Sequence, residues 1–311
     1  MAEHVVFGTG ALGAALIEEL HTQGQTVLAV NRSGRPPVGG VETVAGDASD
    51  AGFVSDVADG ARVVYLAVNP PYHKWMELFE PLHAAILDGA IAAGAHKIVA
   101  LENLYLYGHL QAESLTESHP IAPGTRKGRL RADMHRSLMG AHDEGKIRVV
   151  AARPSDYFGP RTVASAVDYR VFGPAMAGKT ARVLGDPTAE HSYSFTPDVG
   201  RALAILGRDE RADGQAWHMP SPPPITPAAF VDKIATAAGT SAKASGMSRR
   251  MLQLVGVFNK PAGELVEMFY EFDQPFRMDS SKFESTFGVT PTPLDEAIGA
   301  TVDWYRANPP K

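Results

Sequence analysis

The 311-residue chain is 44% hydrophobic and 21% charged, has no cysteine, and carries a formal net charge of −6 at neutral pH. A chain of this length buries roughly three quarters of its unfolded surface, so a core forms without staples, and the missing cysteines exclude disulfides, thiolate nucleophiles and Cys-ligated metals. The acidic balance argues against nucleic acid or an anionic membrane as partner; with no apolar run of ~18 residues and no leader pattern ahead of the first strand, a soluble cytoplasmic protein is expected.

The first strand, Val5–Phe7, runs straight into Gly8-Thr9-Gly10-Ala11-Leu12-Gly13. Apolar residues Ala11, Leu12, Ala15, Leu16 and Leu20 then recur at helical spacing until Gly24. Strand, tight turn and helix carrying G-x-G-x-x-G predict a dinucleotide site. The glycines permit the turn, the approach of a pyrophosphate and close helix–strand packing. The helix start offers free N–H groups to phosphate.

Further strands are predicted at Thr26–Val30, Arg62–Val68, Lys97–Leu101 and Arg148–Ala152, with helices near 11–23, 74–93 and 126–142. Such alternation predicts an α/β fold, a Rossmann doubly wound parallel sheet. Pro81 predicts a kink or two shorter helices within 74–93. Beyond Pro160 the pattern breaks into short pieces. Thr196-Pro197-Asp198 reads as an N-cap followed by Pro at the first helical position, with a helix to about Leu206. Pro220–Pro224 reads as an extended linker, Thr226-Pro227 starts another helix, and 295–306 forms a last amphipathic one. The expected division is a dinucleotide-binding part, 1–160 plus about 195–220, and a smaller substrate-binding part, 161–194 and 221–311.

The second strand ends Asn31-Arg32-Ser33, with no carboxylate before Glu42. An acidic residue about 20 positions past the glycines would bind the ribose hydroxyl of NAD. Here Arg32, Ser33 and Arg35 offer donors and charge to a 2′-phosphate, so NADP is the expected cofactor. Asp47 is expected either to accept from the adenine amino group or to cap the next helix. Ala67 and Val68, ending a strand, and Pro154, ending another, are expected to flank the cofactor. The eleven histidines show no metal-ligand spacing, so no metal is expected.

Gly8–Gly13, Gly46-Asp47, Leu104–Gly108, Arg153–Pro160 and Ser194–Ala202 together resemble the short-chain dehydrogenase/reductase superfamily, in its extended epimerase/dehydratase branch. The resemblance covers about residues 4–220. That family's usual catalytic set is a Ser or Thr, a Tyr, and a Lys four residues after the Tyr. Counting back from Tyr107-Gly108, Asn103 stands at the Ser position, with Glu102 before it. Lys127 is the candidate for the family Lys, and Pro123 four residues earlier means the usual Tyr is absent. Lys127–Arg131 also resembles the Lys-x-x-x-Arg segment of atypical members.

The resemblance therefore implies hydride transfer with a carbonyl or activated double bond of a small, uncharged organic substrate. Lys127 would relay the proton and hold the nicotinamide ribose, its pKa lowered by partial desolvation; the alternative is a surface helix lysine. Asn103 and Tyr105 would lie near the reacting oxygen. Tyr105 or Tyr107 would replace the missing phenol, unless Tyr107 merely packs under its loop. Glu102 is either a base or an arginine's partner. Tyr72, His73, His191 and Tyr193 are further candidates for the pocket wall. Two rival functions remain: an epimerase or dehydratase that recycles its NADP, and a non-enzymatic NADP sensor. Analogy with extended relatives makes a homodimer the expected assembly.

Overall fold

The computed structural model describes residues 2–110, 112–163 and 165–309. In chain order the first half runs β1 (His4–Phe7), α1 (Ala11–Thr22), β2 (Val27–Asn31), β3 (Glu42–Ala45), α2 (Ala51–Ala58), β4 (Val63–Leu66), α3 (Trp75–Ala92), β5 (Lys97–Leu101), α4 (Arg126–Asp143) and β6 (Arg148–Arg153). The second half runs β7 (Asp156–Phe158), α5 (Tyr169–Met176), β8 (Ala181–Leu184), β9 (Tyr193–Phe195), α6 (Thr196–Arg208), β10 (Gln215–His218), α7 (Pro227–Ala238) and β11 (Ala244–Met247). It ends with α8 (Arg249–Phe258), α9 (Lys260–Leu265), α10 (Ser281–Phe287) and α11 (Leu294–Ala307).

Seven strands form one parallel sheet in the order β10–β6–β5–β4–β1–β2–β3. This is the doubly wound Rossmann arrangement. Its central strands are mostly apolar because both faces are covered; β1 and β4 are buried at every residue, while the edge strands β3 and β10 each begin on an exposed polar residue. On one face Val6, Leu16, Val199 and Trp217 belong to one core, and on the other Phe7, Val30, Ile86 and Leu138 belong to a second. The strand order reverses between β1 and β4, so a crevice opens at their carboxyl ends, where ligands bind in such sheets.

The second lobe has its own core, in which Phe158, Phe172, Phe195 and Phe230 interlock edge to face or at a tilt. Two parallel pairs, β7 with β9 and β8 with β11, frame it. Phe283 and Phe287 of α10 pack on Trp217 of β10, returning part of the C-terminal third to the main sheet.

Two local expectations need correction. Pro81 lies inside one unbroken helix, α3, preceded by a single 3-10 turn at Tyr72–Lys74. The ring stands on the exposed face, and so does Glu77, whose carbonyl loses its partner, so water can replace the missing bond. Thr196 is the first residue of α6, not its cap. Phe195 holds the cap position, and the Thr196 hydroxyl is buried against Gly159 without a hydrogen bond. Thr226 does cap α7, accepting from the Ala229 N–H at 3.2 Å.

Candidate functional site

The three glycines after β1 have three different reasons to be glycine. Gly8 has φ +101°, and a Cβ there would lie 2.5 Å from the Ala67 carbonyl oxygen at the end of β4. A Cβ on Gly13 would collide with the Gly8 carbonyl oxygen. Gly10 is exposed, and a Cβ there would meet nothing within 4 Å. The protein's own packing therefore demands the first and third glycines, while the second leaves open space above the helix start. Helix α1 also lacks a side-chain N-cap, whereas α2, α4 and α7 are capped by Asp50, Thr125 and Thr226. Its first N–H groups, from Ala11 to Gly13, face that open space as donors for an anion. The cradle fits a pyrophosphate. Ala67 and Val68 close its β4 side; Leu12 is buried beneath it, in the core.

At the end of β2 the Asn31 carboxamide ties down its own loop. Its oxygen accepts from Ser33 N, Ser33 Oγ and Gly34 N at 2.8–3.0 Å, while its nitrogen donates to Thr9 Oγ1 and the Arg35 carbonyl. Asn31 and Ser33 are thus occupied in positioning the loop. Arg32 projects from it, exposed. Asp47 accepts from Ser49 N and Oγ, and these two hydrogen bonds hold its carboxyl below the ordinary range. The cap of the following helix is Asp50, not Asp47.

Past β5 the chain makes the 3-10 turn Tyr105–Tyr107, and its side chains part company. Glu102 and Tyr107 turn inward. Glu102 bonds Arg153 Nε at 2.8 Å and His135 Nδ1 at 3.0 Å, and Arg153 Nη1 donates to the Tyr107 hydroxyl at 2.6 Å. Burial opposes the charge on Glu102, but Arg153, His135 and Arg131 outweigh it and hold the carboxyl well below the usual range. The Tyr107 hydroxyl also meets His218 Nε2 at 3.0 Å. Burial pushes His218 down to about 3, and likewise His83, a residue of α3 that stands apart from this network with its Nε2 unpartnered among the described residues. This network is fully engaged within the fold.

Asn103 and Tyr105 stay partly exposed, with the Asn103 oxygen accepting from Tyr105 N at 3.3 Å. The Tyr72 hydroxyl donates to that of Tyr105 at 3.4 Å, and burial pushes both phenols upward. Lys127 is not a surface lysine: it is 0% exposed, with Nζ 4.8 Å from the centre of the Tyr72 ring. The lysine is held between Glu264 and Glu267, the latter at 3.0 Å. One turn along α4, Arg131 is also buried and donates to the Leu101 carbonyl at 3.2 Å. Pro123 lies outside α4, which begins at Arg126 with Thr125 as its cap, so spacing counted back from Lys127 leaves the helix. Pro154 is buried after β6.

Of the other wall candidates, His73 is exposed, Tyr193 is buried in the aromatic core, and His191 bonds Asp156 at 3.0 Å. Glu264, Glu267 and Glu271 were not among the residues expected at the site. Their i, i+3, i+7 spacing was visible in the sequence, but the structure divides it between α9, which ends at Leu265, and a 3-10 turn at Val266–Glu271. Among the described residues no cluster of His, Asp or Glu could hold a metal ion, and no helix is long and apolar enough to cross a membrane.

Similarity to known proteins agrees with this geometry. The dTDP-glucose 4,6-dehydratase of Actinoplanes sp. is 24% identical over 226 residues, 72% of this chain and 64% of that protein. The dTDP-D-glucose 4,6-dehydratase of Mus musculus is 21% identical over 231 residues, 72% of this chain and 59% of that protein. The match thus spans less than two thirds of either relative. The fold matches the solved structure of a double mutant of DesIV, a dTDP-glucose 4,6-dehydratase from Streptomyces venezuelae with NAD and DAU bound, at a TM-score of 0.78 and 19% identity. That match covers 98% of this chain and 97% of the other. UDP-N-acetylglucosamine 4-epimerase from Bacillus cereus matches at 0.78 and 15% identity, over 100% and 99% of the two chains. The family model for the NAD dependent epimerase/dehydratase family covers residues 5–218, well over half of the sequence. The chain belongs to the NAD dependent epimerase/dehydratase family, a family of enzymes built around a nicotinamide dinucleotide.

Proposed function

We propose that the chain is an NADP(H)-dependent oxidoreductase in which Lys127 and Arg131 stand in for the family's usual Tyr and Lys. The observation that carries this is a pair of buried cations one turn apart on α4, with Tyr72 and Tyr105 beside the first. A Tyr and a Lys four residues later share one helix face, and so do Lys127 and Arg131.

The dinucleotide would be held at Gly8–Gly13, flanked by Ala67, Val68 and Pro154, and supplies or accepts the hydride. The choice of NADP rests on Arg32, exposed directly after β2. No carboxylate follows it before Glu42, and Asp47 is occupied by Ser49. An exposed guanidinium suits a 2′-phosphate.

An ammonium has three N–H bonds. Glu264 and Glu267 engage two of those on Lys127, leaving one to hold or deliver a proton at a substrate oxygen. Asn103 and the Tyr105 hydroxyl are the remaining polar groups beside that position. Arg131, fixed on the Leu101 carbonyl, keeps a second positive charge behind the end of β5.

A second reading is favoured by the family match: the cofactor is reduced and reoxidised within one turnover, as in an epimerase or dehydratase. Cofactor that co-purifies, with no net NADPH consumption, would select it. The common test is Lys127→Ala. Turnover should fall by about 10²–10⁴-fold, the scale of a lost proton donor, with cofactor affinity within about twofold of wild type. Turnover within a few-fold of wild type removes Lys127 from the chemistry.

A further inference from the structure

Helix α8 has two apolar faces and buries only one. Leu252 is buried, and Gly256 lies so close to α9 that a Cβ there would stand 2.6 Å from the Gly263 Cα. Met251, Leu254, Val255 and Phe258, at i, i+3, i+4 and i+7, share the other side. All four are exposed, Leu254 at 68% and Phe258 at 89%, and so is Val257 beside them. These five make up half of the large exposed apolar side chains among the described residues. Folded surfaces scatter such groups singly, so a stripe gathered on one helix marks a contact.

Charge and size point to what covers the stripe. Between Asp232 and Glu264 the chain has no carboxylate, yet it carries Lys233, Lys243, Arg249, Arg250 and Lys260. Lys233 pairs with Asp295. Arg249 and Arg250 open α8 and Lys260 opens α9 just past its end; all three are exposed, with no carboxylate partner among the described residues. The net charge of −6 counts against an anionic membrane only as a whole-chain average, and this surface has the opposite sign. A second copy of the chain fits less well. A helix of ten residues is about 15 Å long and ~10 Å across, so its face falls far short of the ~800 Å² per partner of a stable interface. A two-fold contact would also set Arg249 and Arg250 against the same arginines, or against Lys260, of the other copy.

We infer that α8 docks the protein reversibly on an anionic phospholipid surface. An amphipathic helix lies in the plane of the bilayer interface, its apolar stripe among the upper acyl chains and its cations at the phosphates. Leu254 and Phe258 would enter the acyl boundary, with Met251 and Val255 at their flanks. Arg249, Arg250 and Lys260 would reach the lipid phosphates, extending their apolar stems along the surface. A stripe this short needs both contributions, since neither apolar contact nor charge alone holds a protein firmly on lipid. Docking asks nothing of Lys127 or of the cofactor.

The test mixes the full chain with vesicles of phosphatidylcholine, alone or blended with phosphatidylglycerol, and measures bound protein by flotation. At low salt the wild type should float with the blended vesicles and at least tenfold less with phosphatidylcholine alone, and added salt should release it. Leu254→Asp with Phe258→Asp, and separately Arg249→Glu with Arg250→Glu, should each cut binding at least tenfold. Both should keep the wild-type melting temperature, because the side chains they replace are exposed. Equal binding to the two vesicle types, no binding to either, or full binding by either double variant would overturn the docking surface. So would an oligomer, seen by sedimentation velocity without lipid, that Leu254→Asp with Phe258→Asp dissolves, since the stripe would then belong to a second copy. The lipid and salt comparisons on the wild type stand even if a variant does not fold.

Discussion

The cradle after β1 and the face around Lys127 are built on opposite plans. The cradle is local: six consecutive residues make the turn, the packing contact and the open approach, and its donors are left uncapped. The Lys127 face is assembled from four distant segments: the turn before α3, the loop after β5, α4, and the strap of residues 260–271. Its charges already satisfy one another. The proposed cofactor site is thus preorganised and empty of internal partners, whereas the proposed substrate site is closed by its own ion pairs.

Breaking the second region should give the largest effect. Lys127→Met keeps the length of the side chain and removes the cation, so turnover measured at saturating NADPH should drop by about 10²–10⁴-fold. A variant that also lost cofactor affinity by more than tenfold would show that the two regions are not separate.

The cradle can be split by its own glycines. Gly13→Ala forces a methyl into the Gly8 carbonyl, and overpacking of this kind costs about 1–3 kcal/mol, visible as a lower melting temperature. Gly10→Ala has room in the protein. It should melt within a degree or so of wild type, yet bind NADPH about tenfold more weakly, because the methyl occupies the phosphate approach. If Gly10→Ala bound NADPH normally, the open space would not be the phosphate site.

Arg32 sharpens the comparison further. Losing a charge-assisted contact costs about 1.5–3 kcal/mol, so Arg32→Ala should weaken NADPH at least tenfold and leave NADH within about twofold. Equal losses for both cofactors would refute the 2′-phosphate role.

The last effect involves neither ligand: two buried histidines set a pH dependence of stability. Burial depresses His83 and His218 to about 3. The unfolded chain therefore takes up these protons first, and stability is complete above about 6.5 and declines from there toward 3. Each histidine contributes a slope of up to about 1.4 kcal/mol per pH unit. The melting temperature should fall between pH 7 and 5, less steeply in His218→Gln; a flat wild-type profile would contradict this.

The same contrast explains what could be seen in the sequence. Gly8–Gly13, the alternation of strands and helices and the Arg32 position are short-range patterns, so the Rossmann sheet and the candidate cradle were legible without coordinates. Lys127 was legible as a candidate through its helix, but its partners Glu264 and Glu267 lie more than 130 residues away, and no spacing rule links them. The strand β10 was missed because Gln215–His218 has only four residues and none of the apolar runs of its neighbours. Pro81 misled because propensity does not know which helix face meets water.

Isothermal titration calorimetry of the full chain with NADPH and NADH tests the account most directly. Binding of one equivalent, with NADPH at least tenfold tighter than NADH, is the predicted result. No heat with either nucleotide, at concentrations up to the millimolar range, would contradict the role given to Gly8–Gly13 and everything built upon it.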